Sequence, residues 1–224
     1  MSKVIKTIIE KRTNNLSYEA SKLQCDKPNI RSTTEKFMIV GLGNNKSSQT
    51  RHSVGLQVLD CLADKLNLDW VDDIDNVAGH FAMRNLDDVS LILLKPQLPM
   101  MVNGTSVSKA ARHFCVPPEN VYLIHDDIAH KIGKITLKDG GCANGHNGVR
   151  SVLHALDTEK LTRLKIGIDC PPTKDKVALY LNEQFSPAEQ QILGDVLEFN
   201  YKLFFLFLLP CSSIDCLFIA LTSS

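Results

Sequence analysis

The sequence predicts an α/β fold, in which a single domain contains a mixed, largely parallel twisted sheet flanked by helices. From residue 37 onward, short apolar runs alternate with segments of helical periodicity, and turn residues separate them. This alternation is typical of strands that are connected through helices packed on the sheet faces. Residues 37–200 contain no internal repeat and no linker. We therefore predict one domain there, preceded by a flexible leader and followed by an apolar tail.

Six short segments are predicted to be strands. Each is apolar or alternates apolar with polar residues, and each is bounded by turn-forming residues. In chain order they are residues 37–40, 79–84, 89–94, 121–124, 133–137 and 163–168. The second and third segments lie on either side of the turn at Asn85–Asp88.

One predicted helix follows the first strand, and a second follows the predicted strand at 89–94. The first begins near His52 or Ser53, because apolar residues recur every three or four positions from Val54 to Leu66. The second covers residues 103–115. Its apolar residues share one helical face: Val107, Ala110, Ala111 and Phe114.

Two further helices are predicted towards the end of the domain. Residues 146–156 show helical periodicity and follow a glycine-rich loop at 139–145. The last helix begins with SPAE at 186–189, which supplies an N-cap serine, a proline at the first helical position and a glutamate three residues after the cap.

The composition excludes some broad classes of protein. The 25 basic and 25 acidic residues balance, so there is no global signature of a nucleic-acid binder, although a local basic face is compatible with this total. The 7 cysteines form no CxxC motif and no paired Cys/His spacing. We expect a reduced intracellular protein without structural zinc.

Both ends of the chain differ from the domain in composition. Residues 1–36 begin with a short, charged apolar run that is no secretory signal, and they continue rich in Asn, Ser, Thr and Lys, which predicts a flexible leader. Residues 201–224 form an atypical apolar tail that Pro210 and Asp215 interrupt, so a membrane span or attachment is not expected. We predict a cytoplasmic location, with the mitochondrion as the alternative.

The strand leading into Gly41-Leu42-Gly43 partly matches a dinucleotide-binding turn. A third glycine or alanine is required after these two, but Lys46 occupies its place and the next residues are turn-like. The segment GKITLKDGG at 133–141 also lacks the ending of a phosphate-binding loop. Neither segment therefore predicts a nucleotide site.

Polar residues after strands and at helix starts instead suggest a hydrolytic site. Asn44 follows the first strand, Asp126 follows the strand at 121–124, and Asn147 lies at a helix start after the glycine-rich loop. His52 opens a helix, where it could act as a base with a carboxylate to orient it. The amides could hold a carbonyl oxygen or a water molecule. From spacing alone, these residues are equally compatible with ordinary caps and turns.

Residues 131–165 carry a local excess of positive charge. Against three acidic residues stand seven basic ones: Lys131, Lys134, Lys138, Arg150, Lys160, Arg163 and Lys165. Together with the small residues of the adjacent loop, this pattern suits the approach of a phosphate backbone. An ordinary solvated surface explains the same pattern.

Several motifs occur together in a definite order. They are VGLGN at 40–44, TRHSVG at 50–55, PMMVNG at 99–104, HDD at 125–127, GHNGVRS at 145–151, RLKIGI at 163–168 and FSPAE at 185–189. In this order they resemble the bacterial-type peptidyl-tRNA hydrolases, over roughly residues 37–195. The resemblance implies a cofactor-free esterase without a metal, which releases tRNA from peptidyl-tRNA and acts as a monomer without a stable protein partner.

The resemblance also implies roles for particular residues. His52 matches the catalytic base and Asp126 the carboxylate that supports it, while Asn44 and Asn147 match amides that position the substrate. The implied substrate-binding residues are Met100, Met101 and Gly145, and the implied tRNA-binding residues are Lys138, Arg163 and Lys165.

The chain departs from the family pattern at several positions. Met101 stands where the family usually has an asparagine, and Asn45-Lys46 replace a Pro-Gly turn. Ala129 replaces a second acidic residue, Asp169 replaces a glycine, and the apolar tail replaces a charged closing helix. The predicted function is therefore hydrolysis of the peptide–tRNA ester, with a catalytically impaired tRNA-binding relative as the alternative.

Overall fold

Seven strands form one sheet in the computed structural model, which describes residues 35–196 apart from 87, 88 and 172. The strands are β1 (Glu35–Gly41), β2 (Val71–Asp73), β3 (Gly79–Leu86), β4 (Val89–Pro96), β5 (Val121–Asp127), β6 (Ile135–Asp139) and β7 (Thr162–Gly167). The helices are α1 (Val54–Lys65), α2 (Asn103–Phe114), α3 (Asn147–Ala155), α4 (Val177–Asn182) and α5, whose described part covers residues 187–196.

The centre of the sheet is parallel and its edges are antiparallel. The strand order is β2-β3-β4-β1-β5-β7-β6, in which the four central strands β4, β1, β5 and β7 run parallel to one another. The outer strands pair antiparallel: β2 with β3, β3 with β4, and β6 with β7. The predicted α/β class with a mixed, largely parallel sheet is confirmed. Gly41 of β1 pairs with Ile124 of β5, so the residues that follow Gly41 lie beside the last residues of β5, which include Asp126.

The hydrophobic core lies between the sheet and the helices that cover it. The predicted apolar face of α2 packs into this core together with residues of α3, and Phe114 is partly buried beside them. The buried residues of this layer are Met38, Val40, Ile92, Leu94, Val107, Ala110, Ala111, Val149 and Val152. Most of these side chains are fully inaccessible.

Helix α1 approaches the central strands closely through two glycines. A Cβ atom on Gly41 would overlap the main chain of Gly55, and one on Gly55 would overlap the carbonyl oxygens of Ile124 and Leu42. Only residues without a side chain allow this approach. As a result, the first turn of α1 lies directly against the carboxyl ends of β1 and β5.

The structure differs from the sequence-based prediction mainly in short elements. Strand β2 and helix α4 were not predicted, since one has three residues and the other is six residues long with no buried residue. Strand β5 continues through Asp127, so His125 and Asp126 belong to the strand rather than to the loop after it.

The predicted leader and tail lie outside the described residues, except that β1 already begins at Glu35. No helix within the described part of the chain is long and apolar enough to cross a membrane.

We predict that Gly55→Ala destabilises the fold by about 1–3 kcal/mol, because the added methyl group overlaps backbone that cannot move aside. Gly194→Ala is the matched control: nothing lies within 4 Å of its Cβ position in α5, so alanine should stabilise that helix by about 0.5–1 kcal/mol. Urea unfolding of the two variants measures both effects. Equal stability of Gly55→Ala and wild type would contradict the close approach.

Candidate active site

His52 lies in a short 3₁₀ turn, Arg51–Ser53, that leads into α1. Its Nδ1 lies 2.9 Å from Oδ1 of Asp126, which is buried near the carboxyl end of β5. An ionised carboxylate can only accept hydrogen bonds, so Nδ1 of His52 carries the donated proton. The neutral ring then keeps its other nitrogen, Nε2, unprotonated and able to act as a base.

A second imidazole binds the same carboxylate oxygen. Nε2 of His146 lies 2.9 Å from Oδ1 of Asp126. Nδ1 of His146 accepts a hydrogen bond from the backbone N–H of Val149, so His146 forms the N-cap of α3. Because Nδ1 is an acceptor, the neutral His146 ring carries its proton on Nε2 and donates it to Asp126.

This surrounding keeps the Asp126 carboxyl ionised. Burial alone raises the pKa of Asp126, but the electrostatic interaction with the His146 ring and the hydrogen bonds from His146 and His52 lower that pKa well below its usual value.

The neighbouring His125 is kept neutral by its surroundings, in contrast to the ionised Asp126. Burial lowers the pKa of His125 to about 3, and its Nδ1 donates to the backbone oxygen of Asp126 at 2.7 Å. Its Nε2 is buried and has no hydrogen-bond partner among the described residues.

These groups line a cavity of about 190 Å³. The predicted site residues that reach it are His52, Asp126, Lys138, Gly145, Asn147, Arg163 and Lys165. The lining also includes residues that sequence reasoning did not assign to a site: His125, Asp127, Ile128, Ala143, Asn144, His146, Val177 and Leu181. The sequence predicts only that His146 begins a helix, whereas its contact with Asp126 joins segments 20 residues apart.

Three predicted site residues lie outside the lining of this cavity. Asn44 is exposed, and its backbone N–H donates to Oγ of Ser53 at 2.9 Å. The sulfur atom of Met100 lies so close to Gly148 that a Cβ atom on that residue would overlap it. Met101 is 69% exposed and lines a neighbouring groove of about 350 Å³.

Asn147 connects the cavity and this groove, because it lines both. Its Oδ1 accepts a hydrogen bond from the guanidinium of Arg150. The amide nitrogen of Asn147 is therefore the end of the side chain that can donate to a further group.

The comparisons with known proteins agree on one family. The peptidyl-tRNA hydrolase family model matches residues 38–209. The chain belongs to this family. A probable peptidyl-tRNA hydrolase from Mus musculus is 39% identical over 166 residues, which cover 73% of this chain and 81% of the mouse protein. A peptidyl-tRNA hydrolase from Lactobacillus helveticus is 37% identical over 168 residues, 74% of this chain and 89% of that protein.

The same similarity holds in three dimensions. The crystal structure of peptidyl-tRNA hydrolase from Acinetobacter baumannii matches with a TM-score of 0.71 and 27% identity, covering 87% of this chain and 97% of that one. The family predicted from the ordered motifs is confirmed, and with it the enzyme class, a hydrolase.

The basic residues predicted to bind tRNA have different surroundings in this family member. Arg163 is only 2% exposed, and its guanidinium donates to the carbonyl oxygens of Gly140, Gly141 and Cys142. This geometry assigns Arg163 to holding the glycine-rich loop and does not favour the predicted phosphate contact.

Lys165 and Lys138 also line the cavity, each with a polar neighbour. Lys165 forms an ion pair with Asp127, while Lys138 donates a hydrogen bond to the carbonyl oxygen of Cys142 at 3.2 Å and forms no ion pair with the residues that the structure describes. Lys138 is therefore the less neutralised of the two cations.

One group among the described residues has the donor atoms of a metal site. Ligand atoms of His52, Asp126 and His146 all lie within 4.8 Å of one another. However, the N-cap bond to Val149 leaves the proton of His146 on the nitrogen that faces Asp126, so that nitrogen has no lone pair to offer a cation. Hydrogen bonds alone explain why these three side chains lie close together. The expected absence of a metal stays a prediction.

We predict that the Asp126 carboxyl stays ionised at the pH, about 3.9, where an ordinary aspartate is half protonated. Since its folded-state pKa is lowered, the stabilisation it contributes is present above about pH 4 and is lost as the pH falls below that value. The ¹³C chemical shift of the side-chain carboxyl carbon during an acid titration measures this. A protonation step at pH 3.9 or higher would contradict the two-histidine arrangement.

Proposed function

We propose that the chain hydrolyses the ester bond between peptide and tRNA in peptidyl-tRNA, with His52 activating the attacking water. The observation that carries this proposal is the 2.9 Å hydrogen bond from His52 to the buried Asp126 at the edge of the cavity. Membership of a family whose relatives are named peptidyl-tRNA hydrolases supports the substrate.

In the proposed reaction, Nε2 of His52 removes a proton from a water molecule while the oxygen of that water attacks the ester carbonyl carbon. The carbonyl oxygen becomes negatively charged, and the bond to the ribose oxygen then breaks. The His52 proton passes to that ribose oxygen, which leaves free tRNA and a peptide with a carboxyl group. Asp126 keeps the base nitrogen unprotonated and stabilises the imidazolium that forms.

Asn147 is the proposed donor to the charged carbonyl oxygen. Its own oxygen is occupied by Arg150, so its amide nitrogen is the group that can donate within the cavity. Removing one such donor typically lowers the rate about 10²–10³-fold. The exposed side chain of Asn44 lies outside the cavity lining, and we assign it to holding the substrate as it enters.

The tRNA backbone is proposed to approach the basic side of the cavity. Lys138 and Lys165 offer their ammonium groups there, and Arg163 fixes the loop that borders them. An esterase that is itself neutral can attract a polyanion through such a local cluster.

A catalytically impaired tRNA-binding relative is the second candidate, and Met101 favours it. Its thioether cannot donate a hydrogen bond, and it is exposed in the groove that Asn147 shares. A protein of this kind would bind the same tRNA without turning it over.

We predict that His52→Ala lowers the rate of peptidyl-tRNA hydrolysis at least about 10³-fold, because the base is lost while the rest of the site remains. His113→Ala is the control, since it removes an exposed histidine at the end of α2 that contacts only Phe114 among the aromatic rings described. Release of free tRNA from a peptidyl-tRNA analogue measures the rate in each variant.

Equal rates for His52→Ala and wild type would contradict the mechanism. The second candidate makes a different prediction for the same assay: an inactive wild type that gains hydrolysis in Met101→Asn. Turnover by the unmodified chain would exclude it.

We predict that Lys138→Ala weakens tRNA binding. The plot of log affinity against log salt concentration should become less steep, with its negative slope reduced in magnitude by about one. Lys165→Ala should act in the same direction with a smaller effect, because Asp127 already neutralises part of its charge. Lys65→Ala, at the C-terminal end of α1, is the control. Binding isotherms at several salt concentrations provide the slopes, and a slope unchanged in Lys138→Ala would assign that lysine to ordinary surface.

A further inference from the structure

Arg51, the residue that precedes His52, is held in a buried pocket of its own. Only 6% of its surface is exposed. Its two terminal nitrogens donate to the two carboxylate oxygens of Glu189, at 2.9 and 2.8 Å. The guanidinium also lies over the rings of Tyr180 and Phe185, at 4.3 and 5.0 Å from their centroids. Such a bidentate, stacked contact fixes both the distance and the plane of the group.

Glu189 is itself fixed by the start of α5. Its Oε2 accepts the backbone N–H of Ser186 at 2.8 Å, and its own N–H contacts Oγ of Ser186 at 3.4 Å, which is the capping box expected from the sequence. The hydrogen bond from Arg51 lowers the pKa of Glu189 to about 2, so the carboxylate is ionised at neutral pH.

The main chain makes a second connection at the same place. The N–H of Arg51 donates to the carbonyl oxygen of Glu183 at 2.9 Å, and Thr50 and Gln184 form an isolated β-bridge. Tyr180 in turn donates its hydroxyl to the carbonyl oxygen of Ile168 at 2.6 Å. The 3₁₀ turn that carries His52 is thus attached to the segment between α4 and α5.

Helix α4 also forms part of the cavity wall. Val177 and Leu181 line the cavity, while Tyr180 of the same helix lies under the Arg51 guanidinium. Arg51 therefore contacts the wall helix and the capped helix from the residue next to the base. A shift of its side chain would move the His52 turn relative to Asp126.

We propose that Arg51 and Glu189 form a positioning ion pair. The pair keeps the His52 imidazole within hydrogen-bond distance of Asp126, and it connects helix α4, which lines the cavity, to the turn that carries His52. The inference rests on the proposed function, because the rate that it sets is that of His52 catalysis. Neither Arg51 nor Glu189 lines the cavity. The pair acts through the geometry of the base, and errors of about 1 Å in that geometry can cost about 10²-fold in rate.

The test uses Glu189→Gln in the full-length chain. Glutamine keeps the size of the side chain and an oxygen for the Ser186 cap, but it loses the charge and one of the two acceptors for Arg51. We expect kcat to fall about 10-fold or more with KM changed less than about twofold. Arg51→Lys, which keeps the charge but loses the fork, should show a smaller loss of the same kind.

Asp60→Asn is the matched control. It removes an ion pair on the same helix that follows His52, where Lys95 lies 2.5 Å from Asp60. This variant should lose stability with kcat unchanged. A Glu189→Gln enzyme that loses stability but keeps the wild-type kcat, or that only raises KM, would overturn the positioning role.

A second readout separates this inference from the proposed function. The Nδ1 proton of His52, observed by NMR without substrate, should be sharp in wild type and Asp60→Asn and broadened by solvent exchange in Glu189→Gln. This comparison decides the positioning role even if the wild type hydrolyses no peptidyl-tRNA. Identical signals in all three proteins would overturn it.

Discussion

One carboxylate oxygen, Oδ1 of Asp126, organises the site, because it accepts hydrogen bonds from both His52 and His146. The two imidazoles belong to distant segments: His52 lies just before α1, and His146 is the N-cap of α3. Each uses a different ring nitrogen, and the ionised carboxylate oxygen has the lone pairs to accept a hydrogen bond from both. The ionised state of Asp126, the tautomers of the two rings and the free nitrogen of His52 all follow from this contact.

The packing of α1 allows that contact to form. Parallel pairing of β1 with β5 places the ends of both strands together, and the glycines at 41 and 55 let the helix lie directly on them. The His52 turn therefore reaches Asp126 without a long loop. On the other side, the buried Arg163 holds the glycine-rich loop that ends at His146. Both sides of the site are thus positioned by contacts that the reacting groups do not themselves make.

Much of this arrangement could be predicted from the sequence. Strand and helix periodicity predicted most of the sheet and four of the five helices of the described region, and the family resemblance of the ordered motifs implied that Asp126 supports His52. These features are encoded locally, in apolar spacing, caps and short motifs. Helix α4 has no buried residue to produce such a pattern, although two of its side chains line the cavity.

Other features depend on contacts between distant segments. Histidine is an uncommon N-cap, so nothing in the residues around His146 indicates its bond to Asp126. The positive charge of Arg163 suggested a surface role, but its position opposite Lys138 in the β6–β7 pair turns it towards the loop carbonyls. Met100 and Met101 are neighbours in sequence, yet one packs inward and the other is exposed in a separate groove.

The central claim is that Asp126 holds His52 with its proton on Nδ1 and its Nε2 free. Long-range ¹H–¹⁵N NMR of the imidazole rings at alkaline pH measures this directly. The expected spectrum shows His52 protonated on Nδ1 and His146 protonated on Nε2. A His52 ring that carries its proton on Nε2 would contradict the claim, since no base would then face the substrate.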